Sequence, residues 1–184
     1  MKKVLIATVK PFAPAAVQEI KDVLDAAGYE MNLLEKYESD SELLKAVESP
    51  DAIIVRSDKV TESVIGASQN LKIVVRAGAG YDNVDLDAAA GKGIVVMNTP
   101  GQNSNAVAEL TLGMMVYMAR NQFNGAAGTE LKGKTLGIHA FGHVGKLVAN
   151  IARGFGMQVL AYDPYLPDEV IEKEGVKVVH SVEE

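Results

Sequence analysis

Thr135-Leu136-Gly137-Ile138-His139-Ala140-Phe141-Gly142-His143-Val144-Gly145 reads as a short apolar strand that turns on small residues and opens a helix running to about residue 154. The turn has the spacing of G-x-G-x-x-G, with Ala140 in the first glycine's place. Gly142 lets a pyrophosphate approach the backbone with no Cβ in the way, and Gly145 permits close packing of helix on strand. The helix N-terminus adds free N–H groups and the positive end of its dipole. A second strand over 159–162 ends in Asp163, 21 residues after Gly142. That is near the separation of roughly 20 at which an acid meets the adenosine ribose hydroxyls. A carboxylate there repels a 2′-phosphate, and Pro164 and Tyr165 stand where an arginine would serve NADP, so NAD is the expected cofactor.

On the N-terminal side, short β-branched runs over 4–9, 31–34, 52–55, 71–75 and 94–97 alternate with helical patterns over 14–27, 41–47, 61–67 and near 84–90. Continuous apolar strands separated by helices predict a parallel sheet covered on both faces, so residues 1–99 form one five-stranded α/β layer. Residues 104–120 form a helix rich in Ala, Leu and Met that is apolar all round. Such a helix bridges domains, lies in a subunit interface, or is ordinary core, and composition leaves these open. The hydrophilic, glycine-bearing stretch 121–134 is the natural boundary before the second series. That series continues past Asp163 with a helix over 167–173 and a strand over 176–179. The expected division is 1–99, a linking helix 100–122, and 123–184.

Over 184 residues, 18 Lys and Arg stand against 24 Asp and Glu, a net charge of −6 that disfavours nucleic acid and anionic membranes as partners. The absence of cysteine excludes disulfides, thiolate metal sites and a cysteine nucleophile, and fits a cytoplasmic location. The apolar run after Met1-Lys2-Lys3 is cut by Lys10 and Pro11 before it reaches signal-peptide length, and no segment approaches the roughly 20 apolar residues of a membrane span.

Arg76-Ala77-Gly78-Ala79-Gly80-Tyr81-Asp82-Asn83-Val84-Asp85, Asn98-Thr99-Pro100, Val107-Ala108-Glu109-Leu110 and Gly133-Lys134-Thr135-Leu136-Gly137-Ile138 occur in the order that resembles the D-isomer-specific 2-hydroxyacid dehydrogenases, from end to end of the chain. The resemblance implies a flavodoxin-like five-stranded parallel sheet domain for substrate, followed by a partial Rossmann dinucleotide-binding domain. It implies NAD-dependent oxidation of a small phosphorylated hydroxy acid, D-3-phosphoglycerate to 3-phosphohydroxypyruvate in serine synthesis, by a homodimer. It further implies that Arg56 and Ser57 meet the substrate's phosphate end, and a guanidinium fork suits that task. Gly78, Ala79 and Gly80 would receive the carboxylate on backbone N–H groups, and Asn103 would lie on the substrate side. Ala140, Gly142, His143, Val144 and Gly145 would lie at the pyrophosphate, with Asp163 on the ribose.

The arginine, carboxylate and histidine that carry the family's chemistry belong to segments beyond the last matched position, so no catalytic residue is assigned in this chain. A truncated piece without turnover of its own is the expectation. Of the three histidines, His139 is read as a hydrogen-bonded structural residue, His143 replaces the loop's usual arginine, and His180 ends the last strand. None has metal-ligand spacing, and no metal is expected. Other readings are a relative acting on glyoxylate, hydroxypyruvate or lactate, and a non-catalytic nucleotide-binding or self-associating fragment.

Overall fold

A computed structural model describes all 184 residues, which divide into two compact units, Met1–Pro100 and Gly101–Glu184. In the first, β1 (Lys3–Thr8), α1 (Pro14–Ala26), β2 (Glu30–Glu35), α2 (Asp40–Ala46), β3 (Ala52–Val55), α3 (Glu62–Ala67), β4 (Ile73–Arg76), α4 (Leu86–Gly91) and β5 (Val95–Met97) follow the alternation of apolar runs. All pairings are parallel, in the order β2-β1-β3-β4-β5. Val4, Leu5, Ile6 and Ala7 are buried without a break because β1 lies inside the sheet with helices on both faces. The first core gathers Leu5, Ile53, Val55, Val74 and Ile65 with Leu43 and Val47 from the α2 region. The chain crosses from β1 to β2 on one side and then from β2 back to β3 on the other side of β1, and this reversal opens a crevice at the carboxyl ends of β1 and β3.

The second unit begins with α5 (Ser104–Ala119), followed by β6 (Thr135–His139), α6 (His143–Gly154), β7 (Gln158–Tyr162), α7 (Asp168–Glu172) and β8 (Lys177–Val178). Its parallel sheet has the order β6-β7-β8, leaving β6 at an edge. One stripe of α5 (Ser104, Ala108, Leu112) is buried, and Ala108 and Leu112 join Phe141, Val148, Ala152 and Ala161 in one core. The other stripe faces out, with Leu110, Met114 and Met118 63%, 58% and 61% exposed. A helix apolar all round is thus half core and half open surface. After it, Asn121, Gln122 and Phe123 all take positive φ, and Thr129 N–H returns to the Ala119 carbonyl at 2.7 Å, so 121–134 is a turn within this unit. No helix is long and apolar enough to cross a membrane.

Candidate functional site

In the second unit β6 delivers the chain into the turn and α6 carries it away. Ala140 has φ 78°, in the left-handed region that favours glycine, and its N–H donates to the Tyr162 carbonyl at 2.8 Å. The motif's first glycine is therefore a conformational requirement that alanine meets under strain. Ala140→Gly is expected to stabilise this unit by about 0.5–1 kcal/mol, the relief of a left-handed alanine less the added chain entropy of glycine. Urea unfolding checks this, and a less stable variant would refute it.

Gly142 caps α6, and a Cβ placed on it would meet no protein atom within 4 Å, so the space above it is open. A Cβ at Gly145 would stand 2.5 Å from the Ala140 carbonyl oxygen and 3.3 Å from Ile138 Cγ2, so only glycine lets α6 sit this close to β6. The N–H groups of Gly142, His143 and Val144 donate to no other backbone or side-chain group, leaving three donors at the dipole's positive end. Phe141, between the two small residues, is fully buried. Its backbone N–H donates to Asp163 Oδ2 at 2.8 Å, and Tyr165 N–H donates to Asp163 Oδ1 at 2.9 Å. These two amides hold the Asp163 carboxyl below the usual carboxylate range. Each carboxylate oxygen keeps a lone pair for a hydroxyl.

His143 is the exposed first residue of α6. The His139 side chain makes no hydrogen bond, contrary to the sequence expectation. It projects from the exposed positions of β6, and its ring centroid lies 5.4 Å from that of its register partner Tyr162. His180, also exposed, is 3.7 Å from Asp168.

In the first unit the expected substrate residues lie at the carboxyl ends of β3 and β4. Arg56 and Ser57 are exposed immediately after β3. The next residue, Asp58, is buried, and its Oδ1 accepts Val9 N–H and the Tyr37 hydroxyl, each at 2.7 Å. Asn83 Nδ2 donates to the Asp58 carbonyl at 2.7 Å. Asp58 thus ties together the segments that follow β1, β2 and β4, and holds them beside Arg56 and Ser57. Burial, and then the bond to Asp58, push the Tyr37 phenol well above its ordinary value. A cavity of about 430 Å³ opens here, lined by Lys10, Tyr37, Ser57, Asp58, Lys59 and Ser63.

After β4, Gly78 N–H donates to the Arg76 carbonyl at 2.8 Å, so that amide is already engaged. Those of Ala79 and Gly80 have no partner. Thr99 N–H donates to the Gly78 carbonyl at 2.9 Å and Asn98 Nδ2 to the Ala79 carbonyl at 2.7 Å. Neither glycine is at positive φ, so their role is space. Asn103 belongs to the second unit, where it precedes α5 without a side-chain capping bond. Asp58 and Tyr37 gave no sequence signal, because a buried acid three residues past a strand looks like any loop acid. Arg76 did give one, a cation closing an apolar strand.

A glycine turn into a helix N-terminus, with an acid anchored to that turn from the neighbouring strand, is the geometry of a nucleotide-binding α/β half-domain. The chain belongs to the D-isomer specific 2-hydroxyacid dehydrogenase family, whose catalytic-domain model matches residues 4–182. It is 43% identical over 157 residues to a D-3-phosphoglycerate dehydrogenase of Methanocaldococcus jannaschii, covering 78% of this chain and 30% of that protein. It is 40% identical over 161 residues to a hydroxypyruvate reductase of Thermotoga maritima, covering 80% and 53% respectively. The NAD+-bound crystal structure of 3-phosphoglycerate dehydrogenase from Entamoeba histolytica superposes with a TM-score of 0.91 at 46% identity, covering 99% of this chain and 58% of that one. The chain therefore spans between about a third and three fifths of the length of these relatives.

Proposed function

We propose that this chain carries the substrate-binding unit and the adenosine-side half of the NAD site of an NAD-dependent D-3-phosphoglycerate dehydrogenase. The observation that carries this reading is the anchored carboxylate of Asp163 beside three free N–H groups and the open space over Gly142. In it, residues 1–99 bind substrate, 100–122 link, and 123–184 bind the adenosine side of the cofactor. Gly142, His143, Val144 and Gly145 form the pyrophosphate cradle with Ala140 shaping the turn, and Asp163 holds the ribose hydroxyls. Bound NAD accepts the hydride when the hydroxy acid is oxidised. Arg56 and Ser57 orient the phosphate end of that acid and the turn at Gly78, Ala79 and Gly80 its carboxylate end. The proton-accepting group is not assigned to any residue of this chain. The exposed stripe of Leu110, Met114 and Met118 supports a homodimer. Hydroxypyruvate reduction is the second reading, supported by the T. maritima relative, and it needs no phosphate-binding arginine.

NAD and AMP are expected to bind the chain with similar affinity, because the turn and Asp163 contact only the half they share. Asp163→Ala should weaken both about tenfold by removing a charge-assisted acceptor. Because its amide partners keep Asp163 ionised, the factor by which Asp163→Ala weakens binding should stay constant from about pH 5 to 8. Isothermal titration with both ligands checks this. Failure of either to bind overturns the cofactor reading, and strong preference for NAD would place a nicotinamide pocket within these residues.

A further inference from the structure

We propose that dinucleotide binding in this chain is coupled to a proton on His143: NAD binding takes up that proton, and affinity falls as pH rises. The proposal rests on the reading above that NAD binds at this turn. From Ala140 to Gly145, His143 alone can carry a charge, and the fixed charge beside the turn is the Asp163 carboxylate, which is negative. Lys146, one turn along α6, pairs with Glu174 at 3.8 Å. A pyrophosphate brings two further negative charges. The free N–H groups and the helix dipole offset them only as partial charges, so a protonated side chain at this position adds what the cradle lacks.

The fold seats this ring and leaves its nitrogens free. Gly101 has φ 80° and no side chain, and a Cβ there would stand 3.7, 3.7 and 3.8 Å from Cγ, Nδ1 and Cδ2 of His143. The base of the imidazole thus rests against the Gly101 backbone, at the same end of α6 as the free amides. Neither ring nitrogen is among the side-chain hydrogen bonds of this unit. His143 is in no ion pair either. A protonated imidazole donates from both nitrogens and carries a charge, whereas the neutral ring donates from one and carries none. Imidazole is also the side chain whose charge changes across the physiological range. A ligand that prefers the protonated form must draw a proton from solvent when it binds.

The elements packed against α6 carry few groups that could supply the same dependence: Glu109 and Tyr117 on α5, His139 on β6, and Tyr162 followed by Asp163 at the end of β7. Carboxylates and phenols change charge outside the range from about pH 5.5 to 8.5, which leaves His139 as the control. The test is isothermal titration with NAD across that range at constant ionic strength, repeated near neutral pH in two buffers of different ionisation enthalpy to count protons. NAD is the probe because its pyrophosphate keeps both charges, whereas the phosphate monoester of AMP titrates near about pH 6. Affinity should fall roughly tenfold from the lowest pH to the highest, the worth of one charge-assisted hydrogen bond, with net proton uptake. His143→Gln should bind at the high-pH level throughout and take up no proton, and His143→Arg at the low-pH level throughout. His143 is exposed, so both should keep the melting midpoint of the unaltered chain. His139→Gln should keep the slope. A flat profile in the unaltered chain, a slope that survives in His143→Gln, or one that vanishes in His139→Gln overturns the role of His143 and leaves the cofactor reading standing. If NAD fails to bind the unaltered chain at any pH, the cofactor reading falls and His143 with it.

Discussion

Phe141→Ala is expected to destabilise the second unit by about 3–5 kcal/mol, the range for emptying a fully buried aromatic site. The ring lies at the middle of the glycine turn, yet it is completely inaccessible and packs in the core that also holds Ala108, Leu112 and Val148. It bolts the turn to α5 and α6, and its own amide holds Asp163. Loss of the ring should therefore weaken AMP binding as well as stability, although no side-chain atom of Phe141 faces open space. Urea denaturation monitored by signals of the second unit, with AMP titration at low urea, measures both effects. A loss below about 1 kcal/mol would show that the core closes over the gap and that the turn does not depend on the ring.

Asp58→Ala should cost the first unit about 3 kcal/mol, since it leaves the Val9 amide and the buried Tyr37 hydroxyl without their acceptor, at about 1–3 kcal/mol each. Asp58→Asn keeps an acceptor oxygen and should lose less than half as much. Stability of the unaltered protein should also fall in alkali. Because the Tyr37 phenol is raised in the fold, the unfolded chain gives up its proton first, so stability is complete below about pH 10 and declines as pH rises toward the folded value. Tyr37→Phe should remove that decline. Equal stability of the Ala and Asn variants would sink the view that the carboxylate oxygen is the tie among the strand-end loops.

The periodic pattern of the chain located every strand and helix to within a few residues, because a strand buried on both faces must be a continuous apolar run and a crossover helix must be amphipathic. Ala140, Gly142, Gly145 and Asp163 were legible for a similar reason. The chemistry of a strand-to-helix turn depends on which residue lacks a Cβ and on one acid at a set distance along the chain. Composition was silent where one property serves two ends. For α5, all-round apolarity left core and interface open, and the structure assigns Ala108 and Leu112 to the core and Leu110, Met114 and Met118 to the surface.

The sequence by itself determined the fold class, the place of the strand-to-helix glycine turn and the family, all of them carried by local spacing and by residue types that few other contexts need. Only the tertiary structure decided that Ala140 bears a strained φ, that Gly78 spends its amide on Arg76 while Ala79 and Gly80 keep theirs, and that Asp58 joins four strand-end segments. Those facts depend on donors and acceptors brought together from positions far apart in the chain, and hydrogen-bond partnership across such separations leaves no periodic trace.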